Sequence, residues 1–168
     1  MSELVFGGVT ALTPDGPADF VARSLGVLRE QQPDAFGRMC GCLEGRHVRL
    51  RLAEDVLDLR FHSDDVDLRP TRSVPLSPQR ALEPAPSVEV TTDRRAILAL
   101  VDGTHTLMSA VMADELILRG SVDGLLAFHD GLGFYLHGAV RSLGFPGLLH
   151  AFRAAPAATP ILRFGSHP

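Results

Sequence analysis

The sequence predicts an α+β fold, and three observations predict it. Apolar side chains recur at helical spacing in residues 17–43 and 93–128, while residues 48–68 alternate apolar and charged with a period of two. Glycine, proline and short polar residues fall at the joints between these stretches.

The elements follow in order. Residues 1–16 read as a loosely held lead-in. Gly16-Pro17 marks a helix start, with proline at the first helical position, and Val21, Leu25 and Leu28 give that helix its apolar face. Pro33 interrupts and restarts the chain. Phe36, Met39, Cys40 and Leu43 then stand at i, i+3, i+4 and i+7, one face of a second short helix that Gly45 stops. Three strands come next. Val48, Leu50 and Leu52 alternate with Arg49 and Arg51; Leu57, Leu59 and Phe61 alternate with Asp58, Arg60 and His62; a third holds Val66 and Leu68. Glu54-Asp55 suits a tight hairpin. These half-polar strands predict a sheet with one face covered and one in water.

Residues 70–86 hold five prolines and read as an irregular crossover. Val88 and Val90 mark a fourth strand over 87–92. Asp93 is an N-cap, and Ala96, Ile97, Leu100 and Val101 are the buried face of the helix it opens, ended by Gly103. Leu107, Val111 and Met112 continue a helical segment. Leu116 and Leu118 mark a fifth strand closed by Gly120. Ser121 caps a helix carrying Leu125, Leu126 and Phe128, which Gly131 and Gly133 are expected to break. Beyond them the chain is strongly apolar. Phe134, Leu136, Val140, Leu143, Phe145, Leu148, Leu149 and Phe152 fall on two short helices divided near Gly144 and Pro146. The reading is one domain over 1–168, with a core of about 17–130, C-terminal helices over 131–155 and a tail over 156–168.

Composition narrows the function. A chain of 168 residues fits one domain, and 45% hydrophobic with 21% charged residues is ordinary for a globular protein. A net charge of -4 provides no general basic field for nucleic acid. All sixteen positive charges are arginine, the mark of an arginine-rich, GC-rich bacterial genome. Cys40 and Cys42 stand too close together to form a disulfide framework, which points to a reducing compartment. Residues 1–10 lack the basic start and cleavage site of a secretory signal. No run approaches the ~18 apolar residues that span a bilayer. The expectation is a soluble, cytoplasmic protein.

Residues 87–130 read SVEVTTDRRAILALVDGTHTLMSAVMADELILRGSVDGLLAFHD. This stretch resembles the C-terminal half of the sterol carrier protein type 2 domain. The shared pieces are a strand at 88–92, an acid-capped helix ending in glycine at 93–103, a Met/Ala segment at 108–112, a strand ending in glycine at 116–120 and a helix at 121–128. The preceding helix and three-stranded meander follow the family's order, so the likeness covers roughly 17–130. Asp114 departs from it, since the family often has glycine just before the fifth strand. The resemblance implies a five-stranded mixed sheet with helices packed on one face. It also implies an apolar cavity between them for fatty acyl chains, sterols or similar molecules, with no catalysis, cofactor or metal. The expected wall is Leu100, Leu107, Met108, Val111, Met112, Leu116, Leu118, Leu125, Phe128, Phe134 and Leu136, the methionines as adaptable lining or, alternatively, as plain core. The C-terminal helices are expected to close the cavity as a lid, with Tyr135, His137 and Arg141 as a partly polar edge. A homodimer or partner-protein contact is the second use for them.

The remaining reactive side chains read as structural. Cys40-Gly-Cys42 lacks the two-residue gap of zinc and thioredoxin motifs, and Cys40 falls on an apolar face, so packing is the reading. His62, Asp64 and Asp65 read as a solvated turn. His105 falls in a helix joint, and His129-Asp130 reads as a polar helix end rather than a base and its orienting acid. Arg94 and Arg95 form a solvated face or, alternatively, a clamp for a ligand carboxylate or phosphate. Besides the carrier, two readings stay open: an interaction or dimerisation module with a filled core, and a hydrolase or cyclase using His129 or His105 on a bulky apolar substrate.

Overall fold

The computed structural model describes residues 16–52, 55–72 and 85–155. Two helices come first, α1 (Pro17–Gln31) and α2 (Pro33–Leu43). The meander β1 (His47–Leu52), β2 (Asp55–Phe61) and β3 (Val66–Arg72) follows. Then come β4 (Val88–Thr92), α3 (Arg94–Val101), α4 (Leu107–Met112), β5 (Leu116–Gly120), α5 (Val122–Ala139) and α6 (Phe145–Ala154). The strands make one sheet in the order β3-β2-β1-β4-β5. The β1/β4 pair is parallel and the others antiparallel, so the sheet is mixed, as expected.

The period-two pattern sorts the two faces. Val48, Leu57, Leu59, Phe61, Val88, Val90 and Leu116 are buried with the helices. On the other face, one row crosses all five strands in register: Arg69, Asp58, Arg49, Glu89 and Arg119. Its alternating signs place every charge opposite an opposite one, the favourable cross-strand arrangement. Within that face Asp58 is buried. It accepts hydrogen bonds from Arg49 Nε and His47 Nε2, both at 2.8 Å.

The local signals account for most boundaries. Asp93 caps α3 by accepting from the Ala96 N–H at 2.9 Å, and Gly103 leaves it at φ 68°, where glycine is favoured. Thr106 and Ser109 form a reciprocal capping box on α4. Ser121 caps α5 at Gly124 N, 3.1 Å away. Asp114 has φ 56°, the left-handed conformation that a glycine at this place would adopt without strain; aspartate is among the few residues that tolerate it.

Three expectations need correction. Leu52 pairs with Asp55, so Asp55 opens β2, and the connecting residues 53–54 lie outside the described residues. Pro70 belongs to β3, opposite Leu57, where an edge strand can spare an N–H. The crossover therefore starts later; its residues 73–84, the lead-in over 1–15 and the tail over 156–168 also lie outside the described residues. The third concerns α5, which runs 18 residues straight through Gly131 and Gly133.

The glycines of α5 explain the last point. Gly124, Gly131 and Gly138 recur every seven residues and all three are buried. A Cβ on Gly131 would sit 2.8 Å from Leu43 Cδ1; on Gly138, 2.3 Å from Leu28 Cδ1 and 2.8 Å from Ala35 Cβ. Gly131 and Gly138 let α5 press against α2 and α1, Gly124 lets it approach Ser87 and Val88 at the start of β4, and that close packing outweighs their poor helix propensity. Gly133 faces open space. Gly133→Ala is expected to raise stability by about 0.5–1 kcal/mol through propensity alone. Gly138→Ala should lower it by about 1–3 kcal/mol through overpacking. Urea unfolding of the two variants checks the contrast, and equal shifts would refute the packing account.

The apolar C-terminal stretch buries itself in its own fold. Phe145, Leu149 and Phe152 of α6 join Phe20 of α1 and Ala139 of α5 in a second core cluster. Phe152 stacks on Phe20 with ring centroids 4.2 Å apart. Arg94, in the first turn of α3, donates to the Phe152 carbonyl and lies over its ring; Arg153 of α6 pairs with Asp102 at the end of α3. Val140 and Leu143, at the α5–α6 joint, remain exposed.

Candidate functional site

A cavity of about 140 Å³ lies between the sheet and the helices, where the two core clusters meet. The sheet supplies Val48, Leu50, Leu52, Leu59, Phe61, Val90, Thr92 and Leu116. Phe20, Val21 and Leu25 of α1 and Met39 and Leu43 of α2 line one flank. Ile97, Leu100 and Val101 come from α3, and Phe128, Gly131, Leu132, Tyr135 and Leu136 from α5. The wall is almost wholly hydrocarbon.

The few polar atoms near it are engaged. Tyr135 donates to Ser24 Oγ at 2.7 Å, and fully buried Ser24 donates to the Val21 carbonyl at 2.7 Å. Burial pushes the Tyr135 phenol up to about 12, against the smaller opposing effect of the Ser24 hydrogen bond. Thr92 Oγ1 donates to the Glu115 carbonyl at 3.2 Å. Among the described residues, Tyr135 is the only ionisable side chain on the wall.

The architecture has a counterpart among solved structures. UbiJ-SCP2, described as a ubiquinone synthesis protein, aligns with a TM-score of 0.51 at 15% identity over 71% of this chain and 90% of its own. The sterol carrier protein domain 2 of Helicoverpa armigera gives 0.49 at 12% identity, over 76% and 95%. A sterol carrier protein 2 gives 0.47 at 11% identity, over 82% and 95%. This chain has the sterol carrier protein fold. No protein-family model matches the sequence, and no curated protein is detectably similar to it.

Within that sterol carrier fold, the expected wall residues divide. Leu100, Leu116, Phe128 and Leu136 line the cavity. Leu107, Val111, Leu118, Leu125 and Phe134 pack against the core without reaching it. Met108 and Met112 point outward, 71% and 78% exposed. The reason is the brevity of α4: six residues bury only Ala110, and the i, i+4 methionines share the outer face. Phe134 stands on the opposite side of α5, under the Arg38 guanidinium at 5.8 Å from its ring. Tyr135, expected on a polar edge, lies inside.

The α1 and α2 residues, and the sheet residues other than Leu116, are wall positions that the sequence pattern does not mark as such. Met39, Leu43 and the strand residues read in sequence as apolar faces of their elements, and Phe20, one position before Val21, carries no assignment there. Phe20 stands eight residues before Leu28, a helical spacing that puts both on one face, and that signal could have found it.

The remaining candidates stand away from the cavity. Cys40 is fully buried, and its thiol is pushed up to about 11 by burial and then by Asp65 and Asp64, which keeps it protonated and unreactive. His62 pairs with Asp67 and Asp65 with Arg29. Among the described residues, no group of three or more His, Cys, Asp and Glu could hold a metal ion. His129 pairs with Asp130 at 3.2 Å, both exposed, and His105 with Glu115 at 2.8 Å. Arg94 donates to the Phe152 carbonyl of α6. Among the described residues no helix is long and apolar enough to cross a membrane.

Proposed function

We propose that the chain shelters an apolar small molecule in this cavity, as a carrier and without catalysis. The observation that carries the reading is the hydrocarbon wall, built from both layers of a sterol carrier fold. Apolar surface leaving water supplies the binding free energy, about 0.8 kcal/mol per CH₂, so a six-carbon group gains about 5 kcal/mol. That corresponds to a dissociation constant of a few tenths of a millimolar. The absence of catalysis is supported by the placement of His105, His129 and Asp130, none of which lines the cavity.

Displacement of an apolar fluorescent dye tests the reading, together with organic extraction of the purified protein and mass spectrometry of the extract. Apolar compounds are expected to displace dye at one site per chain. Alanine at His105, His129 or Asp130 should leave that unchanged. No displaceable site and no extractable ligand would favour a filled core and the interaction-module reading.

A further inference from the structure

We infer that the cavity is a size and polarity filter: it admits an unfunctionalised hydrocarbon group of about one six-membered ring, and keeps every polar group and every further carbon outside. The inference rests on the carrier reading above and specifies the ligand class of that same site.

Volume sets the size. A cavity of about 140 Å³ is close to the ~150 Å³ of apolar protein cavities that stay dry and take benzene. It is well below the ~300–1,000 Å³ of pockets that enclose drug-sized ligands. The wall cannot readily yield the difference. Its floor is the central sheet, with Val48 and Val90 fully packed, and its α5 side is fixed by Gly131 and Gly138 lying against Leu43, Leu28 and Ala35.

Chemistry sets the polarity. The Tyr135 and Thr92 hydroxyls donate to Ser24 and to the Glu115 carbonyl, and the surface they leave to the cavity is carbon. A hydroxyl or carboxyl drawn inside would lose its water and gain no partner, a penalty of tenfold or more in affinity. The fitting ligand is therefore a bare ring or short branched hydrocarbon, or the terminal segment of a longer molecule whose polar end stays in solvent.

Two series measured by dye displacement decide this. The first runs through n-alkyl carboxylates of four to sixteen carbons, below their micellar concentrations. Each added methylene should tighten binding about fourfold until about six carbons are housed, after which affinity levels off. The second compares toluene with phenol, and toluene should bind at least tenfold more tightly. Leu136→Trp, which adds bulk at the wall, should abolish toluene binding while leaving the unfolding midpoint of the protein in place. A steady fourfold gain continuing to sixteen carbons, or phenol matching toluene, would overturn the filter and leave the carrier reading standing. Failure of every compound to displace dye would remove both. If Leu136→Trp unfolds the protein, the two wild-type series still decide the matter.

Discussion

Replacing Phe152 by alanine is expected to cost about 3–5 kcal/mol, a large part of the ~5–15 kcal/mol that holds a domain together. The ring is fully buried, stacked on Phe20 at 4.2 Å with planes 15° apart, and covered on its flank by Arg94. Removing it leaves a void that Phe20 cannot fill, because Phe20 is itself held by Phe145 at 6.1 Å. The substitution also bears on the cavity, since Phe20 forms part of its wall. Urea unfolding followed by circular dichroism measures the loss. Hydrogen exchange shows whether it is global: protection in α1 and α6 should fall together. A loss below about 1 kcal/mol, or opening of α6 with α1 still protected, would mean that α6 is a detachable lid and not part of the core.

A loss of similar size, about 3–5 kcal/mol, is expected for Asp58→Ala. The carboxylate is buried on the outer sheet face, and its removal leaves the Arg49 and His47 donors without their acceptor. The same group predicts a pH dependence. Burial alone would raise the Asp58 pKa, but the hydrogen bonds and charges of Arg49 and His47 outweigh it and hold the group below the usual carboxylate range. A depressed folded pKa means the unfolded chain binds the proton first as pH falls. The stabilisation is thus complete above the ordinary carboxylate value of about 4 and is lost below it, as pH drops through the folded pKa. Urea midpoints between pH 2 and 6 should fall more steeply for the wild type than for Asp58→Asn. Parallel curves would remove Asp58 from the acid transition.

Much of the fold was legible because its signals are local. Pro17, Asp93, Gly103, Ser121 and Gly120 each act within a turn or two of their own position, and the period-two strands declared both sheet faces. Two features were not local. Gly131 and Gly138 of α5 are a packing surface only because Leu43, Leu28 and Ala35 come to meet them, and nothing near Gly131 announces those partners. The inward face of α4 was not legible for a related reason. In α4 the apolar residues 107, 108, 110, 111 and 112 surround a short helix, so its sequence cannot name the face turned inward. Leu100 and Leu116 sit on elements with an apolar side turned to the core, and the structure places them, with Phe128 and Leu136 of the broadly apolar α5, on the cavity wall. The buried His47–Asp58–Arg49 group was hidden in what looked like an ordinary wet face.

The parallel pairing of β1 with β4 has a kinetic consequence. On its other side β1 meets β2 through a hairpin, a contact between near neighbours in sequence. Joining β4 to β1 brings together residues 40 positions apart, as for His47 and Ser87, and that chain closure must precede any gain from the contacts it creates. The meander should therefore assemble early, with β4, α3 and β5 docking late. Since Val90, Thr92, Ile97, Leu100 and Leu116 all arrive in that late step, the chamber comes into being only as folding ends.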